Sequence, residues 1–144
     1  MNDILSGYLN ENVKITKIKD HSAAGTAPIT SDELDMLGYD GVIFLTSLSV
    51  ANAGNYMTMG QGATSAEAPT VATVNSGSSD EDLILDVQPD PNVGRYVNVI
   101  VTTAGSSTTV ESIWAIQYVA KSKPITNVLS GTRALAQFSA PALA

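Results

Sequence analysis

Apolar and polar residues alternate with a period of two through most of this chain, in short blocks. The blocks are "VKITKIK" (13–19), "SDELDM" (31–36), "GVIFLTSLS" (41–49), "NYMTMGQ" (55–61), "TVATVN" (70–75), "DLILDV" (82–87), "RYVNVIVTT" (95–103) and "VESIWAIQYV" (110–119). A period of two sends successive side chains to opposite faces of an extended strand; the three-and-four spacing of an amphipathic helix is almost missing. Between the blocks stand "NSGSSDED", "QPDPNVG" and "TAGSST", whose Gly, Pro, Asn, Asp and Ser supply the positive-φ positions and side-chain-capped turns that chain reversals need. No helical crossover separates the strands, so the pattern predicts an all-β domain, a jelly-roll-like β-sandwich of about eight antiparallel strands.

The last block is apolar on both faces: Val110, Trp114, Ile116 and Tyr118 alternate with Ile113, Ala115 and Val119. We place Trp114 and Ile116 in the core, with Val42, Phe44, Leu83, Leu85, Val97 and Val99. A partner sheet covers only one face of a strand, so the other apolar face must meet a loop, an arm or another subunit.

Both ends depart from the strand pattern, dividing the chain into an N-terminal arm (1–12), a sandwich (13–125) and an extended C-terminal arm (126–144). In the first arm Ile4 with Tyr8, and Leu5 with Leu9, are spaced i, i+4 as on one face of a short helical turn. In "SGTRALAQFSAPALA" (130–144), Leu135, Phe138 and Leu143 gain free energy by docking, either on their own domain or on a neighbouring subunit. These seven side chains are the expected contacts with a neighbouring subunit or a partner surface. The surplus of apolar surface also predicts a closed homo-oligomer, a trimer or a dimer.

The chain has 144 residues, enough for one core, and no cysteine, so neither a disulfide framework nor a thiolate metal site is available. Its longest apolar runs, such as "VIFL" (42–45), fall far short of the ~20 residues that cross a bilayer, and no membrane partner is expected. The opening "MNDILSGYLNEN" lacks the basic and apolar regions of a signal peptide, which predicts a protein made and used without export. Fourteen acids against seven bases leave a net charge of −7, opposing direct nucleic-acid binding. The bases gather in "KITKIK" (14–19) and "KSK" (121–123), where lysine at strand edges discourages sheet-to-sheet pairing.

Catalytic chemistry is thinly supplied. His21 is the only histidine and sits in the turn-rich "KDHSAAGTAP"; no GxSxG elbow occurs, and the GxG of "GQGATSAEAP" (60–69) has no lysine after it. The acids Asp32, Glu33, Asp35, Asp80, Glu81, Asp82, Asp86 and Asp90 read as turn and surface residues rather than a glycosidase pair. We expect no enzyme, no cofactor and no metal.

Three segments carry a family resemblance: "SDELDMLGYDGVIFLTSL" (31–48), "DLILDVQPDPNVGRYVNVIVTTAGS" (82–106) and "IWAIQYVAKSKPITN" (113–127). In order, they resemble small virion proteins of tailed bacteriophages that are similar to jelly-roll head decoration, or cement, proteins. The matching positions are Leu34, Asp35, Met36, Gly38, Tyr39, Asp40 and Gly41, then Pro91, Arg95, Tyr96 and Val97, then Gln117, Tyr118, Lys123 and Pro124. Relatives often carry more bases before the Arg-Tyr pair, where this chain has Asn92, Val93 and Gly94. The resemblance implies a structural protein, made in the host bacterial cytoplasm, that binds the major capsid protein on the outer head surface and clamps capsomers together. Apolar arms of this kind hold on at high salt. A head–tail joining or tail component, and a carbohydrate-binding module displaying Trp114, Tyr118 and Tyr56 on one face, are the alternatives.

Overall fold

The computed structural model describes residues 8–49, 54–66, 72–76, 81–103, 105 and 107–120. A 3-10 turn, Leu9–Glu11, comes first: the Tyr8 N–H donates to the Glu11 carboxylate (2.9 Å) and the Asn12 side-chain amide donates to the Tyr8 carbonyl (2.8 Å). Then follow β1 (Lys14–Lys19), β2 (Ser22–Gly25), β3 (Ile29–Thr30), β4 (Leu34–Asp35), β5 (Gly41–Ser49), β6 (Tyr56–Gly62), β7 (Ala72–Asn75), β8 (Glu81–Val87), β9 (Tyr96–Thr102), β10 (Thr108–Val110) and β11 (Ile113–Tyr118).

Among the described residues every ladder is antiparallel. In one sheet β1 pairs β11 and β2 pairs β10, while β11 and β10 lie end to end along β5, whose other edge pairs β8. In the other, β3 and β4 lie end to end along β9, followed by β6 and β7. With each end-to-end pair taken as one line, the chain-ordered lines run 1-8-3-6 in the first sheet and 2-7-4-5 in the second. Apart from the β6–β7 hairpin, each line hands the chain to the opposite sheet. That strand order is the double Greek key of a jelly roll.

Strand details differ from the sequence reading: β3 (Ile29–Thr30) lies outside every predicted block, and of 31–36 only Leu34–Asp35 is strand. "SAAG" (22–25), placed there in a turn-rich stretch, is β2; it lacks β-branched side chains, and its ladder with β10 makes it a strand. The last block is two strands rather than one. The break is at Glu111–Ser112, where the Glu111 N–H still reaches the Ser47 carbonyl (2.9 Å) and its own carbonyl accepts from Thr46 Oγ1 (3.1 Å), so the line along β5 continues. Of the two proposed arm boundaries, 12/13 lies just before β1 and 125/126 lies outside the described residues.

Between the sheets lie Val42, Phe44 and Leu48 of β5, Met57 and Met59 of β6, Leu83 and Leu85 of β8, Val97, Val99 and Val101 of β9, and Ile113 and Ala115 of β11. Six of the expected core residues are there; Trp114 and Ile116 are not. On β11 it is Ile113, Ala115 and Gln117 that point inward, while Trp114, Ile116 and Tyr118 are half-buried on the outer face. The cause is register. A strand apolar on both faces is indifferent to a flip, and its neighbours decide. Ala115 lies opposite Phe44, which is fully buried, so a small side chain meets the largest one of that row. Gln117, on the same inward parity, spends its amide on the Asp35 carbonyl (2.9 Å) and the Met36 sulfur (3.4 Å).

This placement sets the cost of truncation. Phe44→Ala should lower stability by about 3–5 kcal/mol, the range for a buried aromatic, and Trp114→Ala by only about 1–2 kcal/mol. Urea unfolding checks this: the larger midpoint shift belongs to Phe44→Ala, at unchanged slope.

Candidate interaction surfaces

The outward faces of the two sheets have opposite characters. Directly paired residues project to the same side of a sheet. Across β1, β11, β5 and β8 this aligns Ile15, Ile116, Ile43 and Asp86 in one row and Lys17, Trp114, Leu45 and Ile84 in the next. Six large apolar side chains therefore share one outer face. Over Leu45, Ile84 and Trp114 lies a hollow of about 440 Å³, rimmed by Asp82 and Glu111. The outer face of the second sheet instead carries Tyr56, Thr58, Thr73, Asn75, Thr102, Thr30 and Ile100, a hydroxyl-rich surface suited to water.

At one end of the sandwich, the three segments that carry the family resemblance meet. The Arg95 guanidinium grips Asp35 with two hydrogen bonds, Nε to Oδ1 (2.9 Å) and Nη2 to Oδ2, and stacks 5.1 Å from the centre of the Tyr96 ring. The Leu37 N–H donates to Asp35 Oδ1 (3.0 Å), the Met36 N–H to the Arg95 carbonyl (2.7 Å) and the Asp40 N–H to the Tyr118 carbonyl (3.2 Å). With the Gln117 amide on Asp35 and Met36, these bonds tie the 36–40 loop to β9 and β11. Buried Gln61 does the same for the 88–95 loop, donating Nε2 to the carbonyls of Asp90 (2.6 Å) and Gly94 (2.7 Å). Asp90 also closes its own turn, accepting from the Asn92 and Val93 N–H groups.

Two glycines make this closeness possible. The Gly94 backbone packs against that of Gly62 and Ala63 where any side chain would collide, and Gly41 lies under the Tyr118 ring. Burial, then the hydrogen bond to Asp86 (2.5 Å), pushes the Tyr118 phenol up to about 12. Between the two loops is a hollow of about 330 Å³ lined by Met36, Tyr39, Pro89, Pro91 and Arg95.

The same end is crowned with exposed apolar side chains. Among the described residues six large ones are exposed, and five of them, Tyr8, Leu9, Leu37, Val93 and Val119, are here, Leu37 at 67% and Leu9 at 63%. The N-terminal turn arrives at this end because β1 begins opposite Gln117, the penultimate residue of β11. The sixth, Ile84, is on the apolar sheet face.

Of the seven arm residues named as contacts, Tyr8 and Leu9 are in this crown; Ile4, Leu5, Leu135, Phe138 and Leu143 lie outside the described residues. His21 is on the surface, its Nδ1 2.8 Å from Glu111. The acids are dispersed: Glu33 accepts from the Ala66 N–H, Asp82 from Ser47 Oγ (2.6 Å), Glu81 from Ser76 Oγ (3.0 Å) and Asp86 from Tyr118. Trp114 and Tyr118 project from one sheet and Tyr56 from the other, so the three aromatics of the carbohydrate reading do not share a face. Sequence reasoning missed Leu37, Val93 and Val119 as a group; an apolar residue next to a turn glycine, as in Leu37-Gly38 and Val93-Gly94, was the available signal.

No family model and no curated protein matches the sequence. Solved structures similar to it include a chain of the Bacillus endospore appendages, disulfide-linked pili, at 14% identity and TM-score 0.43, covering 74% of this chain and 88% of that one. Tobacco streak virus coat protein aligns at 12% identity and TM-score 0.41, covering 91% and 100%. A chain of the IBDV T13 viral particle aligns at 10% identity and TM-score 0.43, covering 74% of this chain and 31% of that one, so this chain spans about a third of it. The jelly-roll assignment rests on the strand ladders and not on these likenesses.

Arg95 holds the Asp35 carboxyl below the usual aspartate range, mainly by its hydrogen bond, with burial opposing and the Leu37 N–H assisting. A depressed acid stabilises the fold above its ordinary value of about 4 and loses that contribution as the pH falls through the lowered one. The Leu37 amide proton resonance should therefore titrate with a midpoint below about 4, and Arg95→Ala should move that midpoint upward. An unmoved midpoint would show that Arg95 does not control the clasp.

Proposed function

We propose that this protein is a structural component of a tailed-phage virion, a decoration protein that attaches to the outer surface of the assembled head and stabilises contacts between capsomers. The observation that carries the reading is the apolar crown: Tyr8, Leu9, Leu37, Val93 and Val119 stand exposed at one end, Leu37 on the loop bonded to the Asp35–Arg95–Gln117 clasp and Val93 on the loop bonded to Gln61. The residues that resemble decoration proteins build that same end. A monomer exposing such a patch on braced loops has surface suited to a protein partner, and preorganised loops lose little entropy when one arrives. The major capsid protein is the partner proposed, with the decoration protein itself a trimer or dimer engaging several capsomers at once. Many copies of a modest interface then stabilise only the assembled shell. Tyr8 and Leu9 are part of this surface, and the proposal assigns Ile4 and Leu5, outside the described residues, to the same contact.

The experiment mixes purified protein with undecorated heads and measures occupancy at low and high ionic strength. Wild type should saturate at hundreds of copies per head, as multivalent surface coverage requires, and retain binding at 1 M salt because apolar contact is not screened. Leu37→Asp with Val93→Asp should weaken attachment about tenfold or more, since each change removes apolar burial and places a charge in the interface. Both side chains are exposed, so the fold should be unchanged. Full-affinity binding by the double variant would remove the crown from the contact, and saturation at about six or twelve copies, as in a closed ring, would favour the joining component.

A further inference from the structure

We infer that the apolar outer face of the β1–β11–β5–β8 sheet is a contact between two copies of this chain, packed face to face about a two-fold axis that runs along the strands. The inference concerns the isolated protein and does not rest on the capsid reading. Ile116, Ile43, Trp114 and Leu45 fill the middle of the face, with Ile15 toward one edge and Ile84 at the other.

Charge divides the two edges. On this face β1 carries Lys17, while β8 at the opposite edge carries Asp82 and Asp86, both exposed. Two copies can meet face to face about an axis across the strands or about one along them. An axis across the strands sets β8 against β8, aspartates against aspartates, and β1 against β1. An axis along the strands reverses the strand order of the second copy, so each β1 meets the other's β8. Lys17 of each copy then stands over Ile84 of the other, with Asp82 and Asp86 on either side. Aligned sheets cross at about 30°, and a lysine flanked by two acids meets one of them whichever way the crossing turns. Within one copy the Lys17 ammonium is 2.8 Å from Asp20, whose side chain is 84% exposed, so little is lost when it swings to the partner.

The middle of the face fits the same axis. Ile116 meets Ile43 and Trp114 meets Leu45, each pair twice. The hollow of about 440 Å³ over Leu45, Ile84 and Trp114 lies where the other copy's Trp114 ring and Lys17 stem arrive. Knob and hollow belong to one face, as an isologous contact requires. Four strands at ~4.8 Å, and about six residues along each at ~3.3 Å, make a patch roughly 20 Å on a side. That is small for a permanent dimer, so this one should dissociate on dilution.

Sedimentation equilibrium of the full chain should show monomer and dimer exchanging with concentration. Trp114 is the only tryptophan, and its emission should move to the blue over the same concentration range as its ring leaves water. Ile84→Asp, at a side chain 60% exposed, should weaken the dimer about tenfold or more with unchanged far-UV circular dichroism. Lys17→Asp alone should weaken it, and so should Asp82→Lys with Asp86→Lys, because each sets like charges together. All three changes in one chain should restore it. Monomer at every concentration, a trimer, or a dimer that neither shifts the emission nor responds to Ile84→Asp would overturn the contact. A dimer that Ile84→Asp breaks but the charge exchange fails to restore would overturn the axis.

Discussion

The nine residues of β5 are the support on which the first sheet is built. One edge carries β11 and then β10, the other carries β8 along nearly its whole length. Because side chains alternate, the single fact that Phe44 faces the interior determines the facing of every residue paired with it: Ala115 and Leu85 inward, Trp114, Ile116 and Ile84 outward. A slip of one residue between β5 and β11 would set Trp114 or Ile116 beside the fully buried Phe44 ring in the place of Ala115, and move Gln117 away from the carbonyl it satisfies. Overpacking and a lost buried hydrogen bond both oppose that slip. The outer apolar face follows from this register, since β11 is apolar on both sides and only one can be inside.

The same constraint explains how much was legible beforehand. In "DLILDV" and "RYVNVIVTT" polar residues mark the outer parity and identify Leu83, Leu85, Val97 and Val99 as interior. In "GVIFLTSLS" the parity of Val42 and Phe44 runs on to Leu48 while that of Ile43 and Leu45 passes into serines. On "IWAIQY" the apolar pattern is two-sided, and bulk is a poor guide to facing; the one polar residue of the inward parity, Gln117, was the informative position and needed a partner to be interpreted. That partner, Asp35, is 82 residues away. The clasp shares this difficulty. Asp35 and Arg95 stand 60 residues apart, and nothing local to either marks the ion pair. Each could be placed beside a strand from its own segment; their convergence is a product of the Greek-key connections.

The clasp and the crown make a physical pair. Loops that expose leucine and valine to water gain nothing locally from doing so, and unsupported ones would collapse onto their own domain. Here the backbone is committed elsewhere: Met36 and Leu37 are bonded to Arg95 and Asp35, and Asp90 and Gly94 to Gln61. The close approach of Gly94 to the Gly62–Ala63 backbone leaves that loop little room to relax. The apolar side chains stay outward because the loops beneath them are held by bonds that bending inward would break.

Charge then decides what such a crown attracts. Asp40 and Asp90 are exposed within the same loops, and Glu11 stands in the adjoining turn. Two crowns meeting head to head would bring these carboxylates together in a partly desolvated interface, where like charges repel most strongly. A partner whose surface offers amides, hydroxyls or bases around an apolar centre meets no such penalty. Like-charge repulsion thus opposes a crown-to-crown contact, the negative side of the selectivity that the proposed function requires. The net charge of −7 adds a repulsion of longer range between molecules, which apolar contact must offset wherever they associate.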